Sequence, residues 1–419
     1  MKKSKKILFL LLLIVGIILL AIVLFLFVFN DNDELLPVIT IGEKDAYVDN
    51  SGASAPVLSD GLIPVTIADD GTVTYADFSK EWYNYDEKIW ANSVILKSDI
   101  DYEVGSVISE YDIAAYFVWI PRFKYELFSI DGSSSGSGNE QTINIEFESV
   151  SDEKSTGNEN TQWYTHPAFT FGDDELPGIW VAKFEISGSV SNTTVLPSRI
   201  ALVSKKVSIF YDSLLDFSDD HNIDADSHMI KNTEWGAIAY LSYSDYGINE
   251  EIRINNNNDF ITGCGASSDN ASSSSECSIE YGSGVSSYPQ STTGNISGIF
   301  DMAGGAFEYT MSNMQNEDGE FNSGSAGFTD SIDNEYYNSY EYQLYYDIYT
   351  GYIIGDATYE TKNWFNDSIY FVNGNYPWAL RGGSCSSSSL AGIFAFGVAT
   401  GTSGSNATTR LVIIDTTTD

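Results

Sequence analysis

Positive charge is scarce in this chain. Of 419 residues only 20 are Lys or Arg, against 59 Asp or Glu, and the formal net charge is −39. Such a surface repels phosphate backbones and anionic headgroups, which argues against nucleic acid and acidic lipids as partners. The acidic balance reads as a solvated surface, because no D-x-[DN]-x-[DN]-G calcium loop is present. Cysteine and histidine are equally sparse, at three residues each. No C-x-x-C or paired-His spacing occurs, which argues against zinc. The one G-x-S-x-G spelling, at 132–136, lies in a Ser/Gly-rich loop insertion and not at a strand-to-helix elbow, so no hydrolase nucleophile is marked, and no internal repeat marks a solenoid.

One long hydrophobic run is present. Lys2, Lys3, Lys5 and Lys6 precede an uncharged apolar stretch from Ile7 to Phe29. As a helix it would be roughly 34 Å long, enough to cross a bilayer core. The spacing predicts a single transmembrane anchor at 1–29, lysines in the cytoplasm and the C-terminal part outside the cell. A cleaved signal peptide is the alternative, although its apolar core is normally shorter and no A-x-A site follows. Outside the cell Cys264 and Cys277 would form a disulfide worth about 3 kcal/mol. Cys385 is then left over.

Aromatic residues are 14% of the chain, so a sizeable core is available. Residues 30–60 read as an acidic stalk. In 61–78, β-branched and polar residues alternate around Asp70-Gly71, which predicts a hairpin. Residues 88–96 and 114–128 read as buried strands, with Pro121 interrupting the second or placing it at an edge. Residues 142–148 and 177–189 are further strands. The strongest helix signal covers 226–247, with Asp226 or Ser227 as its cap and Gly247 as its stop. Long Asn-, Ser- and Tyr-rich loops fill much of 250–370. These elements predict an α+β domain with elaborated loops.

Three segments then occur in a set order: "KNTEWGAIAY" (231–240), "GIFDMAGGAFEYTM" (298–311) and "RGGSCS…TTRLVI" (381–413). They resemble motifs of the formylglycine-generating enzyme (sulfatase-modifying factor) superfamily, and "GIWVAKFEISGS" (178–189) looks like its entry strand. The resemblance spans about 115–414 and implies a C-type-lectin-like fold, with 61–114 as a lead-in β segment. It casts Trp235, Asp301, Glu308, Arg381 and Arg410 in structural roles, with Glu308 paired to Arg381 or to backbone N–H groups. The superfamily carries a calcium-ligating Asn where Gly305 stands here, so no cofactor is expected and calcium is left open. Its copper oxidases need two cysteines after the R-G-G-S, and only Cys385 is present, so no catalytic residue is expected. His166, His221 and His228 match no iron-site motif, and His166 and His228 read as structural.

The final block answers to a second resemblance. "WALRGGSCSSSSLAGIFAFGVATGTSGSNATTRLVI" (378–413) sets apolar residues among Ser, Thr, Ala and Gly. It is similar to the variable proteins of diversity-generating retroelements, whose last block is rewritten at adenines, largely in Asn codons. Trp378, Ile393, Phe394, Phe396, Leu411 and Val412 would bury area and fix the backbone. Cys385, Ser386, Ser387, Leu390, Gly397, Val398, Thr400, Thr402, Ser405, Asn406 and Thr409 would then form a ligand-binding surface within 384–409. The expectation is a membrane-anchored, lectin-like binding protein at the cell surface. It would take an extracellular protein or carbohydrate and not act as an enzyme. The alternatives are a formylglycine-type copper oxidase and a structural cell-surface component.

Overall fold

Nine consecutive residues, Ile113–Pro121, are all buried and form the spine of an eight-stranded sheet. A run of Ile, Val, Phe, Trp and Ala can be covered on both faces only as a central strand. The computed structural model describes residues 46–98, 100–127, 140–158, 161–344 and 352–415. Across this sheet the strands run Asp226–Met229, Leu411–Ile414, Gly178–Ala182, Ile113–Pro121, Asn92–Leu96, Ile63–Ile67, Val73–Tyr75 and Val107–Ile108. Every pairing in it is antiparallel. Trp180 lies opposite Trp119 on one side and Ile413 on the other. The last described strand, Leu411–Ile414, therefore lies inside the largest sheet of the described residues.

The expected lead-in at 61–114 supplies five strands of this sheet, counting Ile113–Pro121, and so shares one core with the larger region. Its hairpin turns at Asp70-Gly71, where Gly71 has φ +83° and the Asp70 carboxylate accepts from the Thr72 N–H. Pro121 ends its strand at an interior position, and Phe123–Glu126 passes into a separate four-stranded sheet. Residues 46–60, expected as stalk, are bonded to the domain. The indoles of Trp119 and Trp180 donate to the carbonyls of Ser54 and Val57, and Asp49 accepts from the Tyr85 N–H.

A five-stranded sheet carries the C-terminal block. In it Phe307–Met314 lies between Asn338–Tyr340 and Trp378–Arg381, Phe396–Ala399 pairs beyond Trp378–Arg381, and Ala407–Thr409 runs parallel to Phe307–Tyr309. Ala407–Thr409 and Leu411–Ile414 are neighbours in sequence, so the chain crosses between the two sheets at Arg410.

Two expectations are corrected here. The α+β class gives way to a mostly β structure, with 28% strand and 11% helix. The strands are short, come mostly from 61–229 and 378–414, and pair over long separations that local periodicity cannot register; within 250–370 only Phe307–Met314 and Asn338–Tyr340 are strands among the described residues. No helix among the described residues is long and apolar enough to cross a membrane. The run from Ile7 to Phe29, expected to do so, lies outside the described residues, as does 30–45. The helix expected over 226–247 is also shorter. Asp226–Met229 is a strand paired to Leu411–Ile414, and the helix is Asn232–Ser242. Its first turn is closed by Glu234, which accepts from the Lys231 N–H at 2.7 Å, in place of Asp226 or Ser227. All eleven of its residues are buried, so it has no polar stripe to show where it begins.

Candidate functional site

The apolar residues of the C-terminal block form its frame. Trp378, Ile393, Phe394, Phe396, Leu411 and Val412 are all buried. The Trp378 indole stacks on Phe328 and donates to the Ser323 carbonyl, while Phe394 packs between Trp364 and Tyr243. Trp235 donates from its indole to the Ile393 carbonyl at 2.7 Å. Arg381 sits over the Trp235 ring and donates to the carbonyls of Asp356, Ala357 and Ile393 and to Asn232 Oδ1. These bonds hold the loop from 382 to 395 against the core.

The residues expected to bind ligand fall into three sets. Ser386 and Leu390 are exposed, Leu390 by 51%, and Ser387 is half-buried. They lie on a turn in which the Ser387 N–H donates to the Ser384 carbonyl, and the Ser388 hydroxyl reaches the Asn270 carbonyl. A second set lies at the other end of the Trp378–Arg381 and Phe396–Ala399 strand pair. There Gly397, Val398, Thr400 and Asn406 are half-buried, and Thr402 and Ser405 are exposed. Along the chain the buried run 391–396 separates the two sets, and Gly397 and Val398 lie on the strand Phe396–Ala399 itself. The expected surface residues thus fall into two patches along the chain.

Cys385 and Thr409 belong to neither patch, which corrects their assignment. Thr409 is fully buried in the Ala407–Thr409 strand, and its hydroxyl donates to the Tyr309 carbonyl at 2.8 Å. Cys385 is buried, its N–H donates to the Gly305 carbonyl, and burial raises its thiol pKa. Both are held by Phe307–Met314 or the turn before it, contacts about a hundred residues away in sequence.

Beneath the patches lies a dry cluster of charge. Glu308 pairs with Arg410, not with Arg381: Arg410 Nη2 and Nε lie 2.6 and 3.0 Å from the two carboxylate oxygens. The remaining Arg410 donors reach the carbonyls of Ala182 and Phe300. Asp301 accepts from Asn255 Nδ2 and from the Gly263 N–H, and burial pushes its pKa up to about 6. Glu185 accepts from the Ala306 N–H, and burial with Asp301 and Glu308 alongside pushes its pKa well up. A Cβ at Gly305 would stand 2.4 Å from Glu185 Oε1, so Glu185 occupies the space an Asn at this position would need. Among the described residues no group of three or more His, Cys, Asp or Glu is placed to hold a metal ion.

The histidines sit in separate surroundings. His166 is fully buried, its Nδ1 accepts from the Ala168 N–H, and burial holds its pKa near 3. His221 stacks on Phe217. His228 bonds Asp226 with Nδ1 and Glu234 with Nε2, at 2.8 and 3.0 Å. Cys264 and Cys277 form a disulfide.

Two features beside the second patch carry no sequence motif. Ser204 and Val207 donate backbone N–H groups to the carbonyls of Gly404 and Gly401, which places Lys205 and Lys206 against the patch. Ser325 donates likewise to the Thr400 carbonyl. A polar cleft of about 620 Å³ lies between 315–321 and 331–339, with Phe321 and Tyr337 in its wall, and none of the expected site residues lines it.

Comparison with solved structures finds similarity to two proteins, the Major Tropism Determinant I1 variant and the Major Tropism Determinant P3c variant. The first is 13% identical, with 86% of this chain and 73% of that chain covered and a TM-score of 0.30. The second is 12% identical, with 86% and 74% covered and a TM-score of 0.29. No family model matches the chain, and no curated protein matches it. The formylglycine-generating enzyme resemblance thus rests on the motifs alone.

Proposed function

We propose that this is a ligand-binding protein, not an enzyme, whose contact surfaces are the two patches at 386–390 and 397–406. One observation carries the reading: within a single stretch, Trp378, Ile393, Phe394 and Phe396 are buried while Ser386, Thr402 and Ser405 between or beside them reach solvent. A frame of that kind keeps the backbone fixed while exposed side chains vary at a cost within about 0.5 kcal/mol. It is the property that a variable protein of a diversity-generating retroelement requires, and we place the chain in that class. The disulfide favours an oxidising compartment outside the cytoplasm, so the ligand is an extracellular protein or carbohydrate.

The test compares Thr402→Asn and Ser405→Asn with Thr409→Asn. The first two should leave the thermal midpoint unchanged and alter ligand capture. Thr409→Asn should lower stability by about 1–3 kcal/mol, because it overfills a closed site. Equal losses at all three positions would reject the surface reading. In the host genome, a near-repeat of the final block differing at adenines is the expected companion.

A further inference from the structure

We propose that the second patch takes an acidic polysaccharide, with Lys205 and Lys206 as its charge-reading residues and Arg199 assisting from the same loop. This rests on the surface reading above and names the ligand class for that surface. The positions come first. Ser204 N–H donates to the Gly404 carbonyl at 3.0 Å, and Val207 N–H to the Gly401 carbonyl at 3.2 Å. The two lysines between those bonds are therefore carried on the rim that Thr402 and Ser405 form. Lys206 extends along the 326–327 turn, where its Nζ would lie 3.7 Å from a Cβ on Gly327.

These cations are uncommitted. Seven other Lys or Arg side chains ion-pair with carboxylates. Arg199, Lys205 and Lys206 make no ion pair or side-chain hydrogen bond among the described residues. Arg199 and Lys206 are exposed and Lys205 is half-buried. In a chain of net charge −39, three free cations within eight residues are a local reversal of sign.

The rim decides between polyanions. Thr402, Ser403 and Ser405 offer hydroxyls, and Asn406 an amide, all suited to a hydroxyl-rich ligand. Within 397–406 the only apolar side chain larger than methyl belongs to half-buried Val398, whereas protein hot spots are built on Trp, Tyr and Arg in desolvated pockets. An acidic saccharide chain fits cations beside hydroxyls better than an acidic protein does. At about 0.15 M salt the screening length is about 8 Å, so the local lysines govern a bound ligand while the distant acidic surface is masked. At low salt the whole molecule repels it.

The experiment uses the full chain, with non-ionic detergent to solvate the apolar 7–29 run. It measures binding to immobilised heparin and alginate, with neutral dextran, poly-glutamate and a DNA duplex as comparators. Both acidic polysaccharides should be held, dextran should not, and retention should peak at intermediate salt. Lys205→Glu with Lys206→Glu should weaken retention more than about tenfold at an unchanged thermal midpoint. Undiminished binding by that variant, equal binding to dextran, no binding of either acidic polysaccharide, or tighter capture of poly-glutamate or DNA would each overturn the proposal. Thr402→Tyr and Ser405→Tyr separate the two readings. If they abolish binding while the lysine variant keeps it, the surface reading stands and the charge assignment falls.

Discussion

His228 shows how the protein holds charge where water is absent. Burial alone pulls its pKa down, but Glu234 and Asp226, one at each ring nitrogen, reverse this and push it up to about 9. Phe171 stacks on the ring and closes it from solvent. The folded pKa stands above the ordinary histidine value of 6.5, so the stabilisation is complete below pH 6.5 and is lost as pH rises through about 9. Glu234 has the opposite sense: its pKa is lowered to about 2, so its share is complete above 4.5 and is lost as pH falls through 2. A rise of this size corresponds to about 3 kcal/mol. Urea unfolding of wild type and His228→Asn at pH 6 and pH 9.5 reads the effect. The gap between the two should be wide at pH 6 and narrow by pH 9.5. Parallel pH profiles would show that the imidazolium contributes nothing.

At the scale of elements, the helix Asn232–Ser242 is fixed by close approach more than by propensity. A Cβ on Gly236 would lie 1.9 Å from the Gly355 carbonyl oxygen, which is backbone and cannot swing aside. Ala is the better helix former by about 1 kcal/mol, so intrinsic preference predicts that Gly236→Ala stabilises. Packing predicts the reverse, a loss of about 1–3 kcal/mol, and packing should win. A thermal melt gives the sign directly. The same helix shows what sequence could and could not reveal. The apolar core of 113–121 and the Asp70-Gly71 hairpin were legible, because composition and turn chemistry are local. The strand Asp226–Met229 was not, since its partner Leu411–Ile414 lies far along the chain and nothing local distinguishes it from a helix start. The candidate site divides likewise: its buried frame was readable from the apolar pattern. The burial of Thr409 and Cys385 was not, because Phe307–Met314 and the turn before it impose it from elsewhere in the fold.

For the whole molecule, Arg410 is where the two large sheets are tied together. It follows the strand paired to Phe307–Tyr309 and precedes the strand set in the eight-stranded sheet. Its guanidinium bonds Glu308 in one sheet and the Ala182 carbonyl, at the end of Gly178–Ala182, in the other. Glu185 and Asp301 lie close by, and burial raises the pKa of both and of Glu308, while the Arg410 guanidinium is the one cation that offsets their charge. Arg410→Met would leave Glu308 buried without a counter-charge, which costs about 3–5 kcal/mol for a pair of this kind. The loss should grow with pH, because an unpaired Glu308 must take up a proton to remain buried. Adding Glu308→Leu to Arg410→Met removes the stranded charge and should recover most of the stability. Denaturant unfolding of both variants at pH 5 and pH 8 separates the charge from the packing. A double variant no more stable than Arg410→Met alone would assign the tie between the sheets to the backbone carbonyl bonds of Arg410. In that case Glu308 would be its neighbour, and the link from the core to the C-terminal surface would run through Ala182 and Phe300.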